Sequence, residues 1–110
     1  KRNPVSPPTL SELSEELGES KQSLFELLEL AERSGTLVRV SPELFFSREA
    51  LDDIKGKPTP AAMGDGITVS GFRKLIGTSR KYALPLLEYF DRVKVTVRDG
   101  DLRYLVSRVL

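Results

Sequence analysis

Gly77–Val106, GTSRKYALPLLEYFDRVKVTVRDGDLRYLV, decides how this chain folds. Its first part predicts a helix starting at Thr78 or Ser79, with Ala83, Leu86, Leu87 and Phe90 on one face. Arg80 and Lys81 occupy the first turn. Cations there oppose the helix dipole, so helix stability does not explain them. The same turn offers backbone N–H groups without intrahelical partners, which suits an anion. Pro85 lies inside this helix, beyond the first turn, and predicts a kink.

The second part predicts a β-hairpin, Val93–Arg98 with Leu102–Val106, around Asp99-Gly100. Asp-Gly favours a two-residue type I′ turn. That turn would pair Arg98 with Asp101, Val97 with Leu102, Thr96 with Arg103 and Val95 with Tyr104. Val95, Val97, Leu102 and Tyr104 would then face the core, and Thr96, Arg98 and Arg103 the solvent.

Working outward, the chain matches itself at an offset of 59 residues. Thr9, Ser11, Gly18, Ser20, Leu27, Leu28, Arg33 and Val38 fall on Thr68, Ser70, Gly77, Ser79, Leu86, Leu87, Arg92 and Val97. Such self-similarity marks two copies of one supersecondary unit. In each copy a Ser, Ser11 or Ser70, is expected to cap a short helix that Gly18 or Gly77 stops. A longer helix follows, behind Ser20 in the first copy. Strands are expected at Thr36–Val40 and Leu44–Phe46, and a short helix at Arg48–Ile54. Gly56–Gly66 reads as a linker or long loop. Phe45 and Phe46 are adjacent, so one should point away from the core.

Helix, glycine turn, helix and hairpin is the winged-helix plan. The expected class is α+β, mainly helical, with two tandem winged-helix domains at residues 1–57 and 58–110. KRNPVSPP leaves no room for a leading helix in the first.

The 110 residues are 39% hydrophobic and 30% charged, as in a folded soluble protein. No apolar run approaches the ~20 residues that span a bilayer, and no signal-peptide core follows Lys1. With no Cys and no His, thiolate sites and the commonest metal ligand are excluded. The net charge of +1 conceals an asymmetry. Residues 1–57 hold 8 Lys+Arg against 11 Asp+Glu, and residues 58–110 hold 9 against 5. A polyanion is therefore repelled by the first half and attracted by the second. Asp52-Asp53 and Asp99/Asp101 are the close carboxylate pairs, both at ordinary structural places, and no phosphate-cradling loop ends in Lys-Ser/Thr. No enzyme site is expected.

ITVSGFRKLIGTSRKYALPLLEYFDRVKVTVRDGDLRYLV resembles the last winged-helix domain of the bacterial selenocysteine-specific elongation factor family (SelB). PPTLSELSEELG onward is similar to the penultimate one. Within the family a longer helix joins these domains, whereas here GKPTPAAMGDG interrupts that region. The resemblance implies binding of the messenger-RNA hairpin, the SECIS element, that recodes a stop codon as selenocysteine. It also implies a cytoplasmic monomer with no cofactor in this segment. Ribosome and selenocysteyl-tRNA would be engaged through other domains, among them the family's GTPase domain.

Together with this resemblance, the residues expected to meet RNA are Ser79, Arg80 and Lys81 at the helix start and Arg98 and Arg103 on the wing. Arg73 and Lys74 would flank them or form a solvated face. Tyr82 would stack on an unpaired base or be partly buried. Tyr89 and Tyr104 read as core, and Arg92, matched by Arg33, as structural. The first unit has Lys21 and Gln22 at the corresponding positions. Glu26, Glu29 and Glu32 on its longer helix make it a spacer or a protein contact. The alternatives are a duplex-DNA-binding winged helix or a protein-interaction module.

Overall fold

The computed structural model describes residues 6–57 and 66–106. Most of the expected Gly56–Gly66 linker lies outside them. The chain divides into two compact units, Lys1–Leu51 and Asp52–Leu110.

The first unit runs α1 (Leu10–Leu17), α2 (Lys21–Arg33), β1 (Leu37–Ser41) and β2 (Leu44–Ser47). Helix α3 (Arg48–Gly56) follows. The second unit runs α4 (Val69–Ile76), α5 (Arg80–Arg92), β3 (Thr96–Asp99) and β4 (Leu102–Leu105). Each hairpin is a two-stranded antiparallel sheet.

The caps lie two residues earlier than expected. Thr9 rather than Ser11 caps α1. Its hydroxyl accepts from Glu12 N–H while Glu12 accepts from Thr9 N–H, a complete capping box. Thr68 rather than Ser70 caps α4 through Gly71 N–H. Gly18 and Gly77 end these helices in the left-handed region, at φ 69° and 73°. Ser20 and Ser79 are the N-caps of α2 and α5. The 59-residue repeat thus holds at both caps and both glycines. It continues one step further. Gly35 and Lys94 both take positive φ after the longer helix, 87° and 67°.

In the hairpins the repeat breaks. Val38 is 8% exposed, but its counterpart Val97 is 41% exposed. The second hairpin turns its other face inward, and its β3–β4 register also departs from the expected one. Asp99 pairs with Leu102, Arg98 with Arg103, Val97 with Tyr104 and Thr96 with Leu105. Each β3 residue thus pairs two positions further along β4 than expected, the turn having moved by one residue. Gly100 carries the positive φ of 63° and Asp101 does not. A loop with positive φ confined to its first central residue belongs to type II′, and Gly100-Asp101 forms it. The shift leaves Thr96, Arg98, Arg103 and Leu105 on one face and Val97, Leu102 and Tyr104 on the other, as expected, but it is the first face that packs inward. Thr96, Arg103 and Leu105 are buried, while Val97 on the other face and Arg98 next to the turn are exposed. Val95, Leu102 and Tyr104 are half-buried.

The second core is built on Phe72, Ile76, Ala83, Leu86, Leu87 and Phe90. Phe72 and Phe90 meet edge to face, with ring centroids 6.1 Å apart. Gly71 permits the close approach behind α4, since a Cβ there would meet Ile67 Cγ1 at 2.8 Å. Ile67 in turn exchanges two backbone hydrogen bonds of 2.9 Å with Arg103, adding an isolated antiparallel bridge beside β4. Pro85 lies inside α5, which runs on through it from Arg80 to Arg92. In the first unit Phe45 and Phe46 are both buried, against expectation. The Arg39 guanidinium covers the outward ring: it lies 5.9 Å from the Phe45 centroid and 4.8 Å from that of Phe25.

Candidate nucleic-acid interface

Arg80 and Arg98, far apart in sequence, line one open groove of the second unit, about 460 Å³ in volume. Thr68, Val69 and Ser70 at the start of α4 line it too, with Leu84, Glu88 and Asp101. Helix α5 supplies Arg80, Leu84 and Glu88 at i, i+4 and i+8, one stripe of its surface. Strand β3 supplies Arg98, and the II′ turn supplies Asp101. Arg98 is braced by its own loop, Nε donating to Gly100 O at 2.9 Å. Among the described residues, neither Arg80 nor Arg98 forms an ion pair with Glu88 or Asp101. The groove thus combines two unpaired cations, two carboxylates, a leucine and the N-terminal end of a helix.

The other expected residues separate. Ser79 caps α5 by its backbone position, and its hydroxyl makes no capping hydrogen bond. Lys81 is exposed, its Nζ 5.3 Å from the Tyr82 ring centroid. Tyr82 is buried at 8% exposure, which agrees with the burial alternative rather than with base stacking. Arg73 and Lys74 stand in the last turn of α4, where cations complement the helix dipole, and they do not line the groove.

Arg103 is the clearest correction. Expected on the outer face of the wing, it is 2% exposed. Its Nε and Nη2 donate to Asp91 Oδ2 at 3.3 and 3.2 Å. Asp91 Oδ1 accepts from the Thr96 hydroxyl at 2.6 Å. Arg103 and Thr96 share the inward face of the wing, and Asp91 receives both. An acidic residue in the last turn of a helix opposes the dipole. That anomaly at Asp91 was the signal in the sequence that a buried cation lay nearby. Ser70, expected as a cap, lines the groove instead.

The first unit has its own version of this corner. Glu43, at the β1–β2 turn, accepts from Ser11 N–H at 3.2 Å and Ser11 Oγ at 2.9 Å through Oε1. Its Oε2 lies 3.0 Å from Lys21 Nζ. The carboxyl is held below its ordinary value of 4.5, first by the Lys21 ammonium, then by the Ser11 hydroxyl and N–H.

A family model described as "Elongation factor SelB, winged helix" matches residues 61–105. Residues 61–105 form a winged helix of the SelB family. It is 34% identical over 107 residues to the selenocysteine-specific elongation factor of Desulfomicrobium baculatum, a match covering 93% of this chain. It is 26% identical over 100 residues to that of Escherichia coli K12, covering 90%. In both cases the chain spans 16% of the relative's length. Among solved structures it is similar to the mRNA-binding domain of E. coli SelB in complex with SECIS RNA. The TM-score there is 0.80 at 24% identity, over 92% of this chain and 84% of that one. That likeness establishes the winged-helix fold, mainly helical with small sheets. It is also similar to a bacterial selenocysteine-specific elongation factor, at TM-score 0.64 and 31% identity, over 73% of this chain and 13% of that one. The part of SelB matched is winged helix and not a catalytic domain. No helix among the described residues is long and apolar enough to cross a membrane.

Proposed function

We propose that this chain is the messenger-RNA-binding part of a selenocysteine-specific elongation factor. It comprises two winged helices in tandem, residues 1–57 and 58–110, and the second grips a SECIS hairpin. The observation that carries this reading is the convergence of Arg80 and Arg98 on one groove beside the start of α4. Cations and helix-terminal N–H groups suit phosphate, while Glu88 and Asp101 can accept from a ribose 2′-hydroxyl or a base amino group. Leu84 offers an apolar wall for the sugar. A-form RNA has a deep, narrow major groove, so α5 does not enter it to read base edges. The short basic corner instead follows the backbone and unpaired loop nucleotides. Lys81 and Ser79, exposed at the same helix start, extend the contact.

The first winged helix, with its acidic α2, serves as a spacer or protein contact. In the longer factor, domains beyond this segment deliver selenocysteyl-tRNA to the ribosome in the cytoplasm, with this segment acting as a monomer that needs no cofactor.

Gel shifts at matched salt test the reading, using the E. coli SECIS hairpin, a scrambled hairpin of equal length and duplex DNA. Preference for the SECIS hairpin is expected. Equal affinity for the scrambled hairpin, or preference for duplex DNA, contradicts it.

A further inference from the structure

The repeat places two corners of the molecule in correspondence. At the 59-residue offset Ser11 falls on Ser70 and Lys21 on Arg80. In the first unit these groups hold a carboxylate. Glu43 Oε1 takes the Ser11 N–H and Oγ, Oε2 takes Lys21 Nζ, and the Glu43 backbone O takes Leu10 N–H at 2.9 Å. In the second unit the hairpin ends in a tight turn at Gly100-Asp101, and Asp101, though it lines the groove, makes no hydrogen bond or ion pair with Ser70 or Arg80 among the described residues. Val69 N–H, Ser70 N–H, the Ser70 hydroxyl and the Arg80 guanidinium have no partner among the described residues. They line the open groove instead, with Arg98 opposite.

From this correspondence we infer that Ser70 and Arg80 form an oxyanion pocket that receives one phosphate of the RNA. Glu43 fills the equivalent pocket of the first unit and closes it to RNA. The inference rests on the proposed RNA-binding function and names a residue, Ser70, and a stereochemistry for it. The first unit supplies the template: one oxyanion oxygen on the serine N–H and hydroxyl, a second on the cation. Arg80 and Arg98 can grasp a phosphate more fully than a single lysine grasps Glu43, because each guanidinium is a planar fork of donors.

Ser70→Asp tests this directly. An aspartate at the second position of α4 suits the helix dipole, so the fold should be retained. Its carboxylate would occupy the pocket from within, as Glu43 does in the first unit. Val93→Asp adds the same charge at an exposed residue at the other end of α5. Ser70→Ala removes only the hydroxyl. Binding of the E. coli SECIS hairpin to the full chain is measured for all three, with thermal midpoints as a check on folding. Ser70→Asp should weaken binding at least about tenfold beyond Val93→Asp, and Ser70→Ala by about threefold or more. A methylphosphonate at the contacted phosphate should weaken wild-type binding and leave Ser70→Asp unchanged. Wild-type binding with Ser70→Asp indistinguishable from Val93→Asp overturns the inference alone. A wild type that does not bind the hairpin overturns the RNA reading as well.

Discussion

The Asp91 carboxylate fastens the second hairpin to α5 by taking Arg103 on one oxygen, at 3.2 and 3.3 Å, and the Thr96 hydroxyl on the other. With Arg103 2% exposed and the Asp91 side chain 25% exposed, this is a largely buried pair. It holds the face of the wing that carries Thr96 and Arg103 inward against α5.

Removing one partner of such a pair leaves the other without compensation. Arg103→Ala is expected to destabilise the chain by about 2–4 kcal/mol, somewhat less than a fully buried pair, because water reaches Asp91. Urea unfolding measures it. RNA affinity of the folded fraction should change little. A stable Arg103→Ala protein that loses RNA binding would restore the outward-facing reading of this residue.

Arg80→Ala and Arg98→Ala should do the reverse. Both side chains are exposed, so thermal midpoints should stay near wild type. Each loss of a charged contact should weaken hairpin binding by about 1.5–3 kcal/mol. The slope of log affinity against log salt should flatten by about 0.7–0.9 per lost phosphate contact. An unchanged slope would place the phosphate elsewhere.

Lys94 holds a left-handed φ of 67°, where the repeat has Gly35. A non-glycine residue there costs roughly 1–2 kcal/mol, and glycine returns part of this as unfolded-state entropy. Lys94→Gly is therefore expected to raise stability by up to about 1 kcal/mol, read from the urea midpoint. A lower midpoint would show that the lysine side chain contributes packing not evident in the structure.

Glu43 makes the first hairpin sensitive to acid. Its folded pKa is lowered, so its contribution is complete above the ordinary value of 4.5 and is lost as pH falls through the depressed value. Glu43→Gln should lower the thermal midpoint at pH 7, and the gap from wild type should close in that acid range. A gap independent of pH would contradict the charge-based account.

The helices were legible in the sequence because their signals are local. Glycine at Gly18 and Gly77, capping residues and the apolar stripe are all fixed within a few positions. The caps were misplaced by two residues because Thr and Ser compete as equals for the position. Thr9 with Glu12 shows the Thr-x-x-Glu pattern that decides between them. The hairpin register was not legible. Asp99-Gly100-Asp101 offers glycine to a type I′ or a type II′ turn, and the two place the turn one residue apart, which moves each cross-strand partner by two. Which face packs inward is a tertiary matter: Asp91, twelve residues from Arg103, takes both Arg103 and Thr96 from the inward face. Arg80 and Arg98 were legible as exposed cations, because one stands at a helix start and the other next to the turn of the wing. Ser70 was not legible as a groove residue, since its meaning depends on comparing a filled corner with an open one.

The central claim is that the second unit's groove meets the RNA and the first unit's closed corner does not. Amide ¹⁵N–¹H shifts of the full chain, followed during titration with the SECIS hairpin, test this most directly. The account predicts the largest shifts at Val69, Ser70, Arg80 and Arg98, with Ser11, Lys21 and Glu43 unmoved. Shifts concentrated on α2 and the first hairpin, with the groove silent, would contradict it.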